Sequence, residues 1–264
     1  MTDYIEELNK LYYEMFDSEV VKTFIDEKKG YLNSDTTEIE KLFNKKNYER
    51  YVEIETDIFK INGCLRCIKD LRITVRQQDF PGWIGDIRKC DIMIIGLEAK
   101  LGNPDMDIHI AYDHYPGGPV HDLFEKYSQF IPNIKERSYI TDIAKCTSSD
   151  LDKSRYHCFQ IYFLKELEYF VRINPQTIIL FQGAKVEEFF IKKQNKKIFE
   201  LKYDHELKGK RSMLFKIGVL KYLDFELPLI YFPHTSGSNT PEWKEIQEEK
   251  SKEIEGYLKT LKLL

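Results

Sequence analysis

The chain has 264 residues, and the 42% of them that are apolar can form a sizeable core, which excludes a disordered or fibrous protein. A formal net charge of −4 excludes a uniformly basic nucleic-acid-binding surface but leaves room for a local basic groove. No apolar run approaches the ~20 residues of a membrane span, and residues 1–7 lack the features of a secretory signal, so we expect a cytoplasmic protein that does not contact membranes.

The N-terminal residues follow a helical pattern. Apolar side chains recur at spacings of three and four residues and would share one face of an amphipathic helix, at Ile5, Leu8, Tyr12 and Met15. Thr2 is placed to cap this helix. We predict a helical extension over residues 1–55, followed by a domain over residues 56–264.

The remaining chain alternates short apolar runs with longer helical patterns. Four near-continuous apolar runs predict strands buried on both faces, at residues 91–96, 139–143, 177–181 and 229–232. Helical patterns follow at residues 156–173, at residues 184–194 and from Thr240 onward. This alternation predicts an α/β fold with three α-β-α layers around a central, mostly parallel, four-stranded sheet.

Ligands of such sheets bind where the strands end. This rule selects four places, which are residues 96–100, residues 142–146, Gly183 and residues 234–239.

The cysteines suggest a metal site. Cys64 and Cys67 form a C-x2-C pair, Cys146 directly follows the second predicted strand, and Cys158 lies in the next helix. Four thiolates can hold an iron–sulfur cluster or a tetrahedral zinc ion. Alternatively, Cys146 and Cys158 are small buried side chains of the core, the role we assign to Cys90.

The order of these motifs resembles the uracil-DNA glycosylase superfamily, and within it the iron–sulfur branch called family 4. The resemblance covers residues 64–240 and rests on five stretches in order, which are residues 94–98, residues 139–146, Cys158, residues 174–184 and residues 233–236. It implies a [4Fe–4S] cluster on Cys64, Cys67, Cys146 and Cys158, with structural zinc as the alternative. It also implies a DNA partner, and no other small-molecule cofactor is expected.

The resemblance further implies two catalytic residues. Glu98 stands third in a motif that begins at Gly96, although family 4 has its Glu at the second place, where this chain has Leu97. Glu98 would stabilise the sugar cation and orient the attacking water, while His234 would donate a hydrogen bond to O2 of the departing base. From the residues alone, a loop carboxylate and a structural histidine are the alternatives.

Other residues would hold the DNA. Ser236 matches the second family motif and would bind a phosphate, and Ser238 and Asn239 belong to the loop that would enter the duplex. The apolar or arginine wedge usual in the family is not evident there. A flipped base would stack on Tyr112 or Tyr115.

Asp142 stands where the family reads the base with an asparagine. A carboxylate only accepts hydrogen bonds, so it suits the amino group of cytosine better than O4 of uracil. A helix cap or a salt-bridge partner is the alternative role for Asp142. A protonated Asp142, with a raised pKa, would still suit uracil.

A basic set completes the candidate residues, and it comprises residues 192–197, Lys208, Lys210 and Arg211. It can face a phosphate backbone or form an ordinary solvated surface. Together these features predict a monomeric, monofunctional DNA glycosylase that removes a flipped uracil or a modified cytosine, such as one in phage DNA. The alternative is a non-enzymatic DNA-binding protein on the same fold.

Overall fold

A computed structural model describes residues 3–15, 75–83, 86–98, 108–110, 119–148, 150–192, 195–235 and 240–261. Within these ranges, no helix combines the length and the apolar character needed to cross a bilayer.

The chain has an α/β architecture. The helices are α1 (Tyr4–Met15), α2 (Pro119–Ser128), α3 (Ile134–Arg137), α4 (Leu151–Cys158), α5 (Leu164–Ile173), α6 (Ala184–Ile191), α7 (Thr240–Glu245) and α8 (Ser251–Thr260). A π-helical turn, Phe159–Phe163, joins α4 to α5, and a second one, Ile246–Lys250, joins α7 to α8. The strands are β1 (Val75–Phe80), β2 (Gly82–Trp83), β3 (Ile92–Glu98), β4 (Ile108–Ile110), β5 (Ser138–Ala144), β6 (Cys146–Ser148), β7 (Ile178–Gln182), β8 (Phe199–Lys208), β9 (Met213–Tyr222) and β10 (Phe225–Phe232).

The central sheet is larger than predicted, and it is mixed. It has seven strands in the order β2-β5-β3-β7-β10-β9-β8, while a separate three-stranded sheet has the order β4-β1-β6. The prediction of a mostly parallel four-stranded sheet was therefore wrong, although all four predicted strands form, as β3, β5, β7 and β10. The main omission is the long pair β8 and β9, because β8 is a polar, alternating strand rather than an apolar run.

The chain divides into two compact units. The first comprises residues 1–88, 97–114 and 140–174, and the second comprises residues 89–96, 115–139 and 175–264.

In the first unit, α1 packs against α5. Its buried side chains are Leu8, Leu11, Tyr12 and Met15, whereas Ile5 of the predicted face is only half-buried. The cap is Asp3, whose Oδ1 accepts a hydrogen bond from the Ile5 backbone N–H at 3.0 Å, and Thr2 lies outside the described residues. This helix forms the start of the predicted extension, and residues 16–55 of that extension also lie outside.

The helical stretch from α4 to α5 supplies much of the first unit's core. Within the helical pattern predicted at residues 156–173, its buried aromatic and aliphatic side chains are Phe159, Phe163, Leu167, Phe170 and Val171. The stretch ends at Asn174, whose side-chain amide donates to the Ile87 carbonyl oxygen at 3.2 Å.

In the second unit, three parallel strands form the centre. β7 pairs with β3 on one side and with β10 on the other, so Phe181 stands beside both Ile95 and Tyr231. Because the three strands are parallel, their carboxyl ends lie together at one edge, which we call the carboxyl edge.

Helices cover both faces of these strands. Phe181 of β7 contacts Phe190 of α6 at 4.6 Å between ring centroids. On the opposite face, Phe232 contacts Tyr127 of α2 at 5.3 Å and Trp243 of α7 at 5.4 Å. Successive residues of a strand point to opposite faces, so Tyr231 and Phe232 lie toward different helices.

Candidate active site

The chain after β10 is held at the carboxyl edge by three side chains. The Lys126 ammonium group donates to the Thr235 carbonyl oxygen at 2.7 Å, and the Gln182 side-chain amide donates to the Thr235 hydroxyl at 3.1 Å. The Trp243 indole N–H donates to the His234 carbonyl oxygen at 3.2 Å. These donors come from α2, β7 and α7, so three elements hold His234 and Thr235 in place.

Within this fixed segment, only the His234 side chain is exposed. Pro233 is buried before it, and Thr235 is 2% exposed after it. A rigid backbone with an exposed imidazole is the arrangement expected of a group that contacts a ligand, since little conformational entropy is lost on binding.

Gly183 allows the close approach of two loops at this edge. It lies between β7 and α6 with φ of +94°, and its N–H donates to the Phe232 carbonyl oxygen at 2.9 Å. A Cβ at this position would lie 3.1 Å from the His234 Cβ. Both the backbone conformation and the lack of space require glycine here.

Glu98 is the last residue of β3, which runs two residues beyond the predicted strand end at Gly96. Its side chain lies outside the described part of the chain, as do Ala99 and Lys100.

Asp142 lies in the middle of β5 and is 3% exposed. All seven residues of this strand are buried. Asp142 is therefore not an ordinary surface carboxylate, because burying a charged carboxylate costs free energy unless the group is paired.

A buried polar cluster next to Asp142 was not predicted. The Lys145 ammonium group contacts the Thr141 hydroxyl, the Asp142 carbonyl oxygen at 2.5 Å and the Glu166 carboxylate at 2.5 Å. The Thr141 hydroxyl also donates to Glu166, at 2.8 Å. The signal was present in the sequence, because Glu166 interrupts the apolar stripe of residues 156–173.

Two of the four predicted metal ligands belong to neighbouring segments. The buried Cys158 thiol, at the end of α4, accepts a hydrogen bond from the Lys145 backbone N–H at 3.4 Å. Cys146 directly follows Lys145 and begins β6, although its side chain lies outside the described part. A backbone N–H directed at sulfur stabilises a thiolate, so the surroundings of Cys158 fit a ligand of iron or zinc.

The other two predicted metal ligands are the cysteines of the C-x2-C pair. Cys64 and Cys67 fall outside the described residues. Among the described residues, no group of three or more His, Cys, Asp or Glu is arranged to hold a metal ion. Cys90 is fully buried, in keeping with the structural role assigned to it.

The remaining candidate residues also lie outside the described ranges, and they are Tyr112, Tyr115, Ser236, Ser238 and Asn239.

Two tyrosines near the carboxyl edge are strongly perturbed. Burial raises the pKa of Tyr231 to about 12, and the nearby Glu187 contributes to this rise. Burial also raises the pKa of Tyr127 well above its usual value. The raised pKa keeps both phenols neutral into the alkaline range, where an exposed tyrosine ionises.

Comparison with known proteins gives this chain no family. No protein-family model matches it, and no curated protein matches it.

Proposed function

We propose that this protein is a monofunctional DNA glycosylase that hydrolyses the N-glycosidic bond of a flipped pyrimidine. The proposal is supported chiefly by the His234 segment, which is fixed at the carboxyl ends of three parallel strands and leaves the imidazole exposed. Open α/β sheets bind their ligands at this edge. Glu98, the last residue of β3, is the second catalytic residue of the proposal.

In the proposed reaction, a water molecule forms a bond to C1′ of the sugar while the bond from C1′ to the base breaks. Glu98 stabilises the positive charge that develops on the sugar and orients the water. His234 donates a hydrogen bond to O2 of the base, which leaves with the electron pair of the broken bond.

Asp142 is proposed to select the base. Its carboxylate accepts a hydrogen bond from the exocyclic amino group of a cytosine-type base and is opposed to the O4 acceptor of uracil. The proposed substrate is therefore a modified cytosine, as found in the DNA of some phages, and base excision would then serve in defence.

We propose that Cys64, Cys67, Cys146 and Cys158 hold a [4Fe–4S] cluster. The cluster would act as a structural crosslink between the segment before β1 and the segment around Cys158. Iron and sulfide analysis of the purified protein distinguishes it from zinc.

The experiment is a base-release assay on duplexes that carry uracil, cytosine, hydroxymethylcytosine or glucosylated hydroxymethylcytosine. We expect abasic sites from a cytosine-type base, and a fall of about 10²-fold or more for Glu98→Gln and for His234→Gln with DNA affinity retained. The matched controls are Glu226→Gln and His205→Gln, which change exposed residues of β10 and β8 and should leave the rate unchanged.

The same assay tests Asp142. The Asp142→Asn variant should move the preference toward uracil by about 5- to 150-fold, since a good base contact discriminates by ~1–3 kcal/mol. Release of uracil alone by the unmodified protein would refute the role of Asp142. Tight DNA binding without abasic sites on any substrate would favour the non-enzymatic alternative.

A further inference from the structure

The predicted basic set separates into two groups within the second unit. β10 pairs antiparallel with β9, and β9 pairs antiparallel with β8, so β8 runs in the same direction as β10. Lys208, at the end of β8, therefore lies at the carboxyl edge. Lys196 and Lys197 precede Phe199, which starts β8 at the opposite edge, about 30 Å away by strand length.

The register places the turn between β8 and β9 beside His234. Lys216 pairs with Tyr231 of β10 and with Glu206 of β8, so these three residues form one row across the strands. His234 follows Tyr231 of this row by three residues, and Lys208 follows Glu206 by two. Two strand spacings separate them, which corresponds to about 10 Å.

The residues 208–212, which we call the hairpin tip, are fixed to α7. The Lys210 backbone N–H donates to both oxygens of Glu245, at 3.1 and 3.2 Å. The Ser212 hydroxyl donates to Glu242 at 3.1 Å. Because α7 also holds the His234 carbonyl oxygen through Trp243, one helix positions both the hairpin tip and His234.

The charges of the hairpin tip are not equivalent. The Lys210 ammonium group pairs with Glu249 at 2.5 Å, and the Glu242 and Glu245 carboxylates accept from the hairpin tip. Lys208 and Arg211 are exposed and form no ion pair with any residue that the structure describes. The hairpin tip therefore offers two cations to an external anion.

We propose that Lys208 and Arg211 contact phosphates of the DNA strand whose nucleotide is held at His234. This inference rests on the proposed function for the identity of the partner, and the position and charge of the hairpin tip supply the rest. Lys208 lies about 10 Å from His234 across the strands, which suits a phosphate a few nucleotides away, because each DNA strand carries a charge about every 3.4 Å. Lys196 and Lys197 have no such role, since they lie at the far edge.

The test compares two double variants with the same change in charge, Lys208→Gln/Arg211→Gln and Lys196→Gln/Lys197→Gln. The affinity of each full-length protein for a short duplex is measured by fluorescence anisotropy from about 50 to 200 mM salt. We expect the first variant to bind several-fold more weakly, with the slope of log affinity against log salt reduced by about 0.9 for each lost phosphate contact. The second variant should match the unmodified protein.

Each outcome decides the proposal. Equal losses of DNA affinity in the two variants, or no loss in the first variant, overturn the proposal. If the first variant loses binding to phosphatidylserine vesicles but keeps its DNA affinity, the proposal is overturned in favour of a membrane surface. An unmodified protein that binds no duplex overturns both this proposal and the proposed function. DNA binding with the expected slopes but without base release leaves the hairpin tip supported and refutes the glycosylase. Thermal unfolding of both variants confirms that they are folded.

Discussion

At the scale of single residues, Gly183 illustrates how a position without reactive atoms shapes a site. Its backbone conformation is costly for any residue with a side chain, and the space where a Cβ would lie is bordered by His234. The consequence is that β7 turns into α6 directly beside the imidazole-bearing segment.

We expect Gly183→Ala to lower the free energy of unfolding by about 1–3 kcal/mol and to displace His234. Gly256→Ala is the control, because Gly256 lies on the exposed surface of α8 with no atom within 4 Å of an added Cβ. That change should raise stability by up to ~1 kcal/mol. Urea unfolding measures both, and equal stability of the two variants would contradict the role of Gly183.

The sequence predicted some of the residues at the candidate site and missed others. His234 and Gly183 were found because they follow apolar runs, and the structure places both at the carboxyl edge. The cluster around Lys145 was missed because its one signal in the sequence, Glu166 within an apolar helical stripe, does not identify the partner of that carboxylate.

At the scale of elements, the Lys145–Glu166 pair joins the residue that follows β5 to α5 in the core of the first unit. The side chains of both residues are at most 3% exposed. Removing one partner leaves an uncompensated buried charge, whereas replacing both with apolar residues is often nearly neutral.

We expect Lys145→Met and Glu166→Leu each to lower the free energy of unfolding by about 3–5 kcal/mol. The double variant should recover most of this loss. A double-mutant cycle from denaturant unfolding measures the coupling, and strictly additive losses would show that the pair does not interact.

The strands were predicted where they contain a near-continuous apolar run. β3, β5, β7 and β10 satisfy this condition, since each is covered by helices or other strands. β8 does not, because its exposed residues alternate with buried ones such as Phe199 and Leu207, so only a period of two would have revealed it. Charged residues on such a strand are typical of a sheet edge.

At the scale of the whole molecule, three tyrosines make the free energy of unfolding depend on pH in the alkaline range. Tyr127, Tyr203 and Tyr231 have a raised pKa, chiefly because of burial. The unfolded chain loses these protons near pH 10, before the folded chain does, so the folded state binds more protons above that pH. Stability is therefore complete below about pH 10 and decreases as the pH rises toward 12.

We expect the free energy of unfolding to fall from about pH 10 toward pH 12, and Tyr127→Phe to reduce this fall. The Tyr127 hydroxyl is buried without a hydrogen-bond partner in the described part of the chain, so its removal should not lower stability at neutral pH. Urea unfolding across this pH range is the measurement. Tyr13→Phe, at an exposed tyrosine, is the control and should leave the pH dependence unchanged.

The pairing of β3 with β7 also bears on how the chain reaches its native state. Ile92 pairs with Ile178, so the centre of the large sheet joins residues far apart in the sequence, whereas β8, β9 and β10 follow one another through short turns. Closing a long loop costs entropy before any contact offsets it. We expect β8, β9 and β10 to pair early during folding and β3 to pair with β7 late. The slowest refolding phase should therefore be the one in which β3 becomes ordered.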